Sequence, residues 1–309
     1  MSQFIPGTKL GRFFLYSSLA VATLTIILPL LPSKSSNINI LNNNKITMNP
    51  THYTAIVLGA TGATGSQIVK HLIKSSKCDQ VTAIIRQSSE PYNYNLTEDE
   101  QKKLNILAID FENLPQYIDQ FPSNSIVFSA LGSTRAQAGT IEKFYNIDHN
   151  YQVNLAKLLL NKKNCTQFHL VSTAGANAQS WFAYLRIKGE IENSLAKLHY
   201  PRLSIYRPGL LITERKETRI PEKIAQTILP KIESILDFIR LPQYISASVS
   251  TVAAAMVKNA ESVPSKQNCA YYNEQTSSNY IELFENKAIV TMSLESEKQM
   301  PPTMNPNDQ

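Results

Sequence analysis

A chain of 309 residues with 43% hydrophobic and 17% charged side chains can bury a full core, which excludes wholesale disorder. The formal charge of +6 is unevenly spread: residues 1–50 hold Lys9, Arg12, Lys34, Lys45 and no acid, leaving an excess of two for the rest. That excess is too small for a folded surface that grips phosphates, so no nucleic-acid partner is expected.

Residues 13–31 are 19 positions without a charge, and a helix of that run spans roughly 28 Å, just enough for a bilayer. An N-terminal hydrophobic helix acting as a membrane anchor is the expectation. A removed targeting peptide, or a start at Met48 that leaves a cytoplasmic protein, are the alternatives. The Ser- and Asn-rich stretch up to residue 50 reads as a tether, because it has too little apolar surface to fold. Residues 51–292 then form the expected folded domain, and 293–309 a disordered polar tail. Cys78, Cys165 and Cys269 are odd in number and lack metal-site spacing, which suits a reducing environment and predicts no metal.

Short apolar runs predict strands at Thr54–Leu58, Val81–Ile85, Asn105–Ile109, Ile126–Ala130, Phe168–Ser172 and Leu203–Tyr206. Helical stripes at Ser66–Lys74 and Ile141–Leu160 alternate with them. The fold class is therefore α/β, a Rossmann-like doubly wound parallel sheet. The residues after Pro208 suffice only for a small C-terminal lid, with helices around 222–240 and 249–258.

The first strand runs into Gly59-Ala60-Thr61-Gly62-Ala63-Thr64-Gly65 and then an amphipathic helix. In such a unit Gly59 permits the tight turn, Gly62 the approach of a pyrophosphate, and Gly65 close helix–strand packing, while unpaired helix N–H groups meet the anion. Glycines also make ordinary turns, but this context points to a dinucleotide. The second strand ends in Arg86 with no acid before Glu90, which favours the 2′-phosphate of NADPH over the ribose hydroxyls of NAD. Asp110, after the third strand, is placed near the adenine edge or caps the next helix.

A second constellation joins Ser172, Tyr184 and Lys188. Tyr184 and Lys188 lie at i and i+4 on one helix face, and of 14 tyrosines only Tyr184 has a lysine four residues on. A phenol is a poor proton donor and acceptor near neutrality unless an ammonium favours its ionised form. Lys188 supplies that field, Tyr184 passes the proton, and Ser172, with Thr173 as alternate hydroxyl, holds a substrate oxygen.

The glycine loop, the strand-5 serine and Tyr184-x-x-x-Lys188 resemble an atypical short-chain dehydrogenase/reductase. The segments Ala130–Arg135, Tyr184–Glu192, Tyr206–Leu211 and Glu282–Ile289 are similar to the Tat-interactive-protein oxidoreductase family, over about residues 54–290. The resemblance implies NADPH contacts at Thr61, Gly62, Ala63, Thr64, Arg86, Leu131, Gly132, Tyr184, Lys188, Leu211 and Arg219. Gln87 departs from it where relatives carry a second arginine. It implies either hydride transfer to a small carbonyl substrate or a non-catalytic NADPH-sensing module with a protein partner. Fungal members of that family at the mitochondrial outer membrane make membrane attachment fit the resemblance, and with the leader the expected location is an intracellular membrane with a cytosol-facing domain, at the mitochondrial outer membrane or the endoplasmic reticulum.

Overall fold

Tyr53–Leu58 is buried nearly throughout, as a strand covered on both faces must be, and forms β1. The computed structural model describes residues 50–89, 92–133, 135–212, 246–264, 269–272 and 279–297. The expected leader helix at 13–31, the helix around 222–240 and Arg219 lie outside them. After β1 come α1 (Ala63–Lys74), β2 (Cys78–Arg86), α2 (Glu98–Lys102), β3 (Leu104–Ile109), a kinked 3-10 stretch (Phe111–Gln120) and β4 (Ile126–Ser129). There follow α3 (Arg135–Ala138), α4 (Ile141–Tyr145), a π-type turn (Asn146–Asn150), α5 (Tyr151–Lys163), β5 (Gln167–Val171), α6 (Ala183–Ala196) and β6 (Arg202–Arg207). The chain continues with β7 (Leu210–Ile212), β8 (Ser246–Ser248), α7 (Val249–Ala260), β9 (Cys269–Tyr272), β10 (Tyr280–Glu285) and α8 (Asn286–Glu297).

The large sheet has the order β3-β2-β1-β4-β5-β6-β10-β9. Its first seven strands are parallel and β9 joins antiparallel at one edge. β7 and β8 pair separately. The order reverses between β1 and β4, so the carboxyl ends of these strands form the crevice where such sheets bind ligands. Alternation along β1 divides the interior in two. Ala55 and Val57 pack with Ile68, Val69 and Leu72 of α1 and Val252 and Met256 of α7. Ile56 and Leu58 pack on the other face with Leu155 and Leu159 of α5 and Ile191 and Leu195 of α6.

Two expectations need correcting. The helix over 249–258 exists, but as α7 it shares the first of these cores with α1 and α8, so it is a layer of the domain and not a lid. The tail begins later than expected, because α8 runs on to Glu297 with Ser293 buried. Among the described residues no helix is long and apolar enough to cross a membrane.

Beneath α7, four rings from adjacent strands form a row. Phe128 and His169 lie 5.1 Å apart, His169 and Tyr206 6.1 Å, and Tyr206 and Phe284 5.0 Å. At the amino ends of β6 and β10 a buried ionic cluster locks strands to helix. Arg202 Nε donates to Glu282 Oε2 at 2.9 Å and its Nη2 to the carbonyl of Asn259 at 2.8 Å. Ser204 Oγ also donates to Glu282 Oε2, at 2.7 Å, and Asn259 Nδ2 donates to Tyr206 Oη at 2.9 Å. Cys78 and Cys165 are ordinary interior groups: burial pushes Cys78 up to about 12 and Cys165 up to about 11.

Candidate nucleotide and proton-transfer site

The glycine loop is built by close approach. Gly59 has φ +72°, and a Cβ there would lie 2.6 Å from the carbonyl oxygen of Ala130 in the loop after β4. A Cβ on Gly65 would lie 2.0 Å from the carbonyl oxygen of Gly59, so only glycine lets α1 start this near the strand. Gly62 occupies the N-cap position without a side-chain bond, and the first turn holds no acid. The first N–H groups of α1, at Ala63 and Thr64, are thereby left to an incoming anion, with Thr61 just before the cap. This is a cradle of the shape and sign a diphosphate needs.

Arg86 is exposed at the carboxyl end of β2, on the same edge of the sheet, and its backbone pairs with Ile109 of β3. Asp110 is next to it in space but serves the helix start. Its Oδ1 accepts the N–H of Glu112 at 3.0 Å and its Oδ2 accepts Asn113 Nδ2 at 2.7 Å, which together hold its carboxyl below the usual range. Of the two readings of Asp110, the cap is the one this geometry shows.

Leu131 and Gly132 follow β4, and the loop they form is tied down from α5 and the π-type turn. Gln152 Nε2 donates to the carbonyl of Leu131 at 3.0 Å, and Asp148 Oδ2 accepts the N–H of Ser133 at 2.7 Å. Lys188 lies under this loop, almost wholly buried, with Nζ 2.9 Å from Asp148 Oδ1. A Cβ on Gly132 would come within 3.4 Å of that ammonium. Tyr184 is one turn earlier on α6, 45% exposed, its ring stacked on Phe144 of α4 with centroids 6.2 Å apart. The structure thus brings Gly132 and Lys188 together, with Tyr184 on the same helix nearer solvent. Leu211 is half-buried in β7 and packs on the core that contains α1.

Ser172 is placed differently from its expected role. Its hydroxyl donates to Glu192 Oε1, which also accepts Arg207 Nε at 3.0 Å. The one proton that could orient a substrate oxygen is committed to a carboxylate. Thr173, the next residue, is half-buried, and its hydroxyl makes no hydrogen bond among the described residues. The loop between β5 and α6 is clamped to the helix: Asn177 N–H donates to the carbonyl of Leu185 at 3.0 Å. A Cβ on Gly189 would lie 2.2 Å from Ala178 N.

A parallel sheet with a glycine cradle on its first helix and a buried lysine beneath the fourth-strand loop defines a nucleotide-binding Rossmann protein of the short-chain dehydrogenase/reductase kind. Comparison carries this further. Residues 59–224 match the NAD(P)H-binding family model, and the chain belongs to that family. It is 31% identical to the Protein HTATIP2 of Rattus norvegicus over 245 residues, covering 79% of this chain and 90% of the relative. It is 37% identical to the Protein FMP52, mitochondrial, of Candida albicans over 178 residues, covering 57% of this chain and 75% of that one. Among solved structures, a short chain dehydrogenase family protein from Francisella tularensis superposes with a TM-score of 0.53 at 15% identity, covering 77% of this chain and 98% of the other.

Proposed function

We propose that the chain is an NADPH-dependent reductase of a small carbonyl compound. The observation that carries this reading is the placement of Lys188, buried under the Gly132 loop one helical turn from a half-exposed Tyr184. Bound NADPH supplies the hydride. The first turn of α1 holds the diphosphate, and Arg86 pairs with the 2′-phosphate as a charge-assisted fork. Lys188 holds a ribose hydroxyl with the donors that Asp148 does not use, and Tyr184 gives its phenolic proton to the carbonyl oxygen. Thr173 orients that oxygen in place of Ser172, whose proton is committed to Glu192.

A second reading keeps the nucleotide and drops the chemistry: an NADPH-sensing module read by a protein partner. Trp181 and Phe182 favour it, being 97% and 74% exposed beside the start of α6. The apolar run at 13–31, together with relatives whose name includes mitochondrial, supports attachment of the full chain to an intracellular membrane.

Calorimetry with each coenzyme, followed by turnover of NADPH over a carbonyl panel, tests the reading. NADPH is expected to bind more tightly than NADH. Arg86→Ala is expected to weaken NADPH by about 10- to 100-fold while leaving NADH within about three-fold, the cost of lost bonds to a charged group. Equal losses for the two would remove Arg86 from the phosphate site. Binding without any turnover, joined to capture of a partner only when NADPH is present, would favour sensing.

A further inference from the structure

Asp148 lies in the π-type turn between α4 and α5, on no strand end and in no glycine loop. A single turn of this kind inside a helix widens it locally and redirects a side chain, and here the carboxylate is turned fully inward. Its Oδ2 is held by the N–H of Ser133 at 2.7 Å, and its Oδ1 lies 2.9 Å from Lys188 Nζ. Gln152 Nε2 donates to the carbonyl of Asp148 at 2.7 Å, which steadies the turn itself. The carboxylate is therefore held at both oxygens, and its backbone separately, before any ligand arrives.

We propose that Asp148 is the positioning residue and counter-charge of Lys188: it aims the ammonium under the Gly132 loop and cancels part of the field that the ammonium exerts on Tyr184. The inference rests on the reductase reading for its catalytic consequence, but not for its effect on coenzyme binding. Two opposite charges at ion-pair distance act on a third group as a dipole, whose influence falls off faster than that of a lone ammonium. The other charged groups around the pair are engaged elsewhere. Arg186 and Glu190 face each other at 4.0 Å on α6, and Glu192 is held by Arg207. His149 meets Ser194 Oγ through Nε2 at 2.9 Å and Asn150 Oδ1 through Nδ1, with Tyr145 stacked on its ring. Tyr184 itself faces the ring of Phe144. Asp148 and Lys188 are thus left as the two charges that act on each other beneath the loop.

The test uses the full chain. Asp148→Asn keeps the shape and an acceptor oxygen but removes the charge. It is expected to move the pH–rate profile for carbonyl reduction by about one unit toward lower pH while the NADPH Kd stays within about three-fold. An unmoved profile overturns the counter-charge role. Asp148→Leu removes both charge and acceptor, and is expected to weaken NADPH by about tenfold in the wild-type background and by about threefold in Lys188→Met, where only the Ser133 tie to the loop is lost. The same loss in both backgrounds overturns the proposal, because it shows an effect that does not pass through Lys188. The binding cycle separates the two ideas: absent turnover with an intact coupling removes the reductase reading alone. Wild-type chain that binds no NADPH overturns both.

Discussion

Tyr184→Phe is expected to lower NADPH-dependent carbonyl reduction by about 10²- to 10⁴-fold, the usual worth of a positioned proton donor. That corresponds to about 3–5 kcal/mol of barrier. The substitution removes one oxygen from a ring that is 45% exposed and stacked on Phe144, so neither packing nor stability gives way. NADPH affinity is expected to stay within a few-fold, since the diphosphate cradle and Lys188 are untouched. Initial rates over a panel of aldehydes and ketones, paired with calorimetry, check both halves. A rate equal to wild type would hand the proton to another group, and the sensing module would become the better reading.

The second large effect concerns stability. Glu282→Ala is expected to cost about 3–5 kcal/mol, measured as the urea unfolding midpoint, because it strands the guanidinium of Arg202 in an interior that water does not reach. Both side chains are fully buried, and Glu282 Oε2 alone receives Arg202 Nε and Ser204 Oγ. Replacing both charges, as Arg202→Met with Glu282→Leu, is expected to recover most of the loss, since the pair must offset its own desolvation. A single substitution that cost less than about 1 kcal/mol would show that water or a shifted partner satisfies Arg202. The cluster sits at the amino ends of the strands, opposite the glycine loop, so coenzyme affinity of the folded variant should not move.

Much of this architecture is legible in the chain. A strand buried on both faces must be a continuous apolar run, and all six expected strands appear within a few residues of their predicted limits. β10 escaped because Tyr280–Glu285 carries two acids, one of which is Glu282, buried only through its pairing with Arg202. The glycine loop was readable because its spacing encodes close backbone approach, a local property that Gly59 and Gly65 display directly. What was not readable depended on partners distant in sequence. Ser172 lies at the expected strand end, yet Glu192, twenty residues on, accepts its hydrogen bond. Asp148 left a fainter trace. It stands with Gln152, Leu155 and Leu159 at helical spacing, so two polar residues interrupt an otherwise apolar stripe, and such an interruption asks for buried partners.

The row of rings under α7 includes one member that can take a proton. His169 is fully enclosed, with Nδ1 3.1 Å from Tyr206 Oη, and burial, helped by Arg202, holds its imidazole well below its ordinary 6.5. His71 is lowered too, again chiefly by burial. Above pH 6.5 both rings are neutral whether the chain is folded or not, and they cost nothing. Below it the unfolded chain accepts protons that the fold refuses, so each ring removes up to about 1.4 kcal/mol per pH unit until its folded pKa is reached. Urea midpoints at pH 7.5 and 5.5 should differ accordingly, and coincident midpoints would contradict this account. These two enclosed rings consequently tie part of the domain's stability to neutral surroundings, a part that a protein whose histidines face the solvent would not lose on acidification.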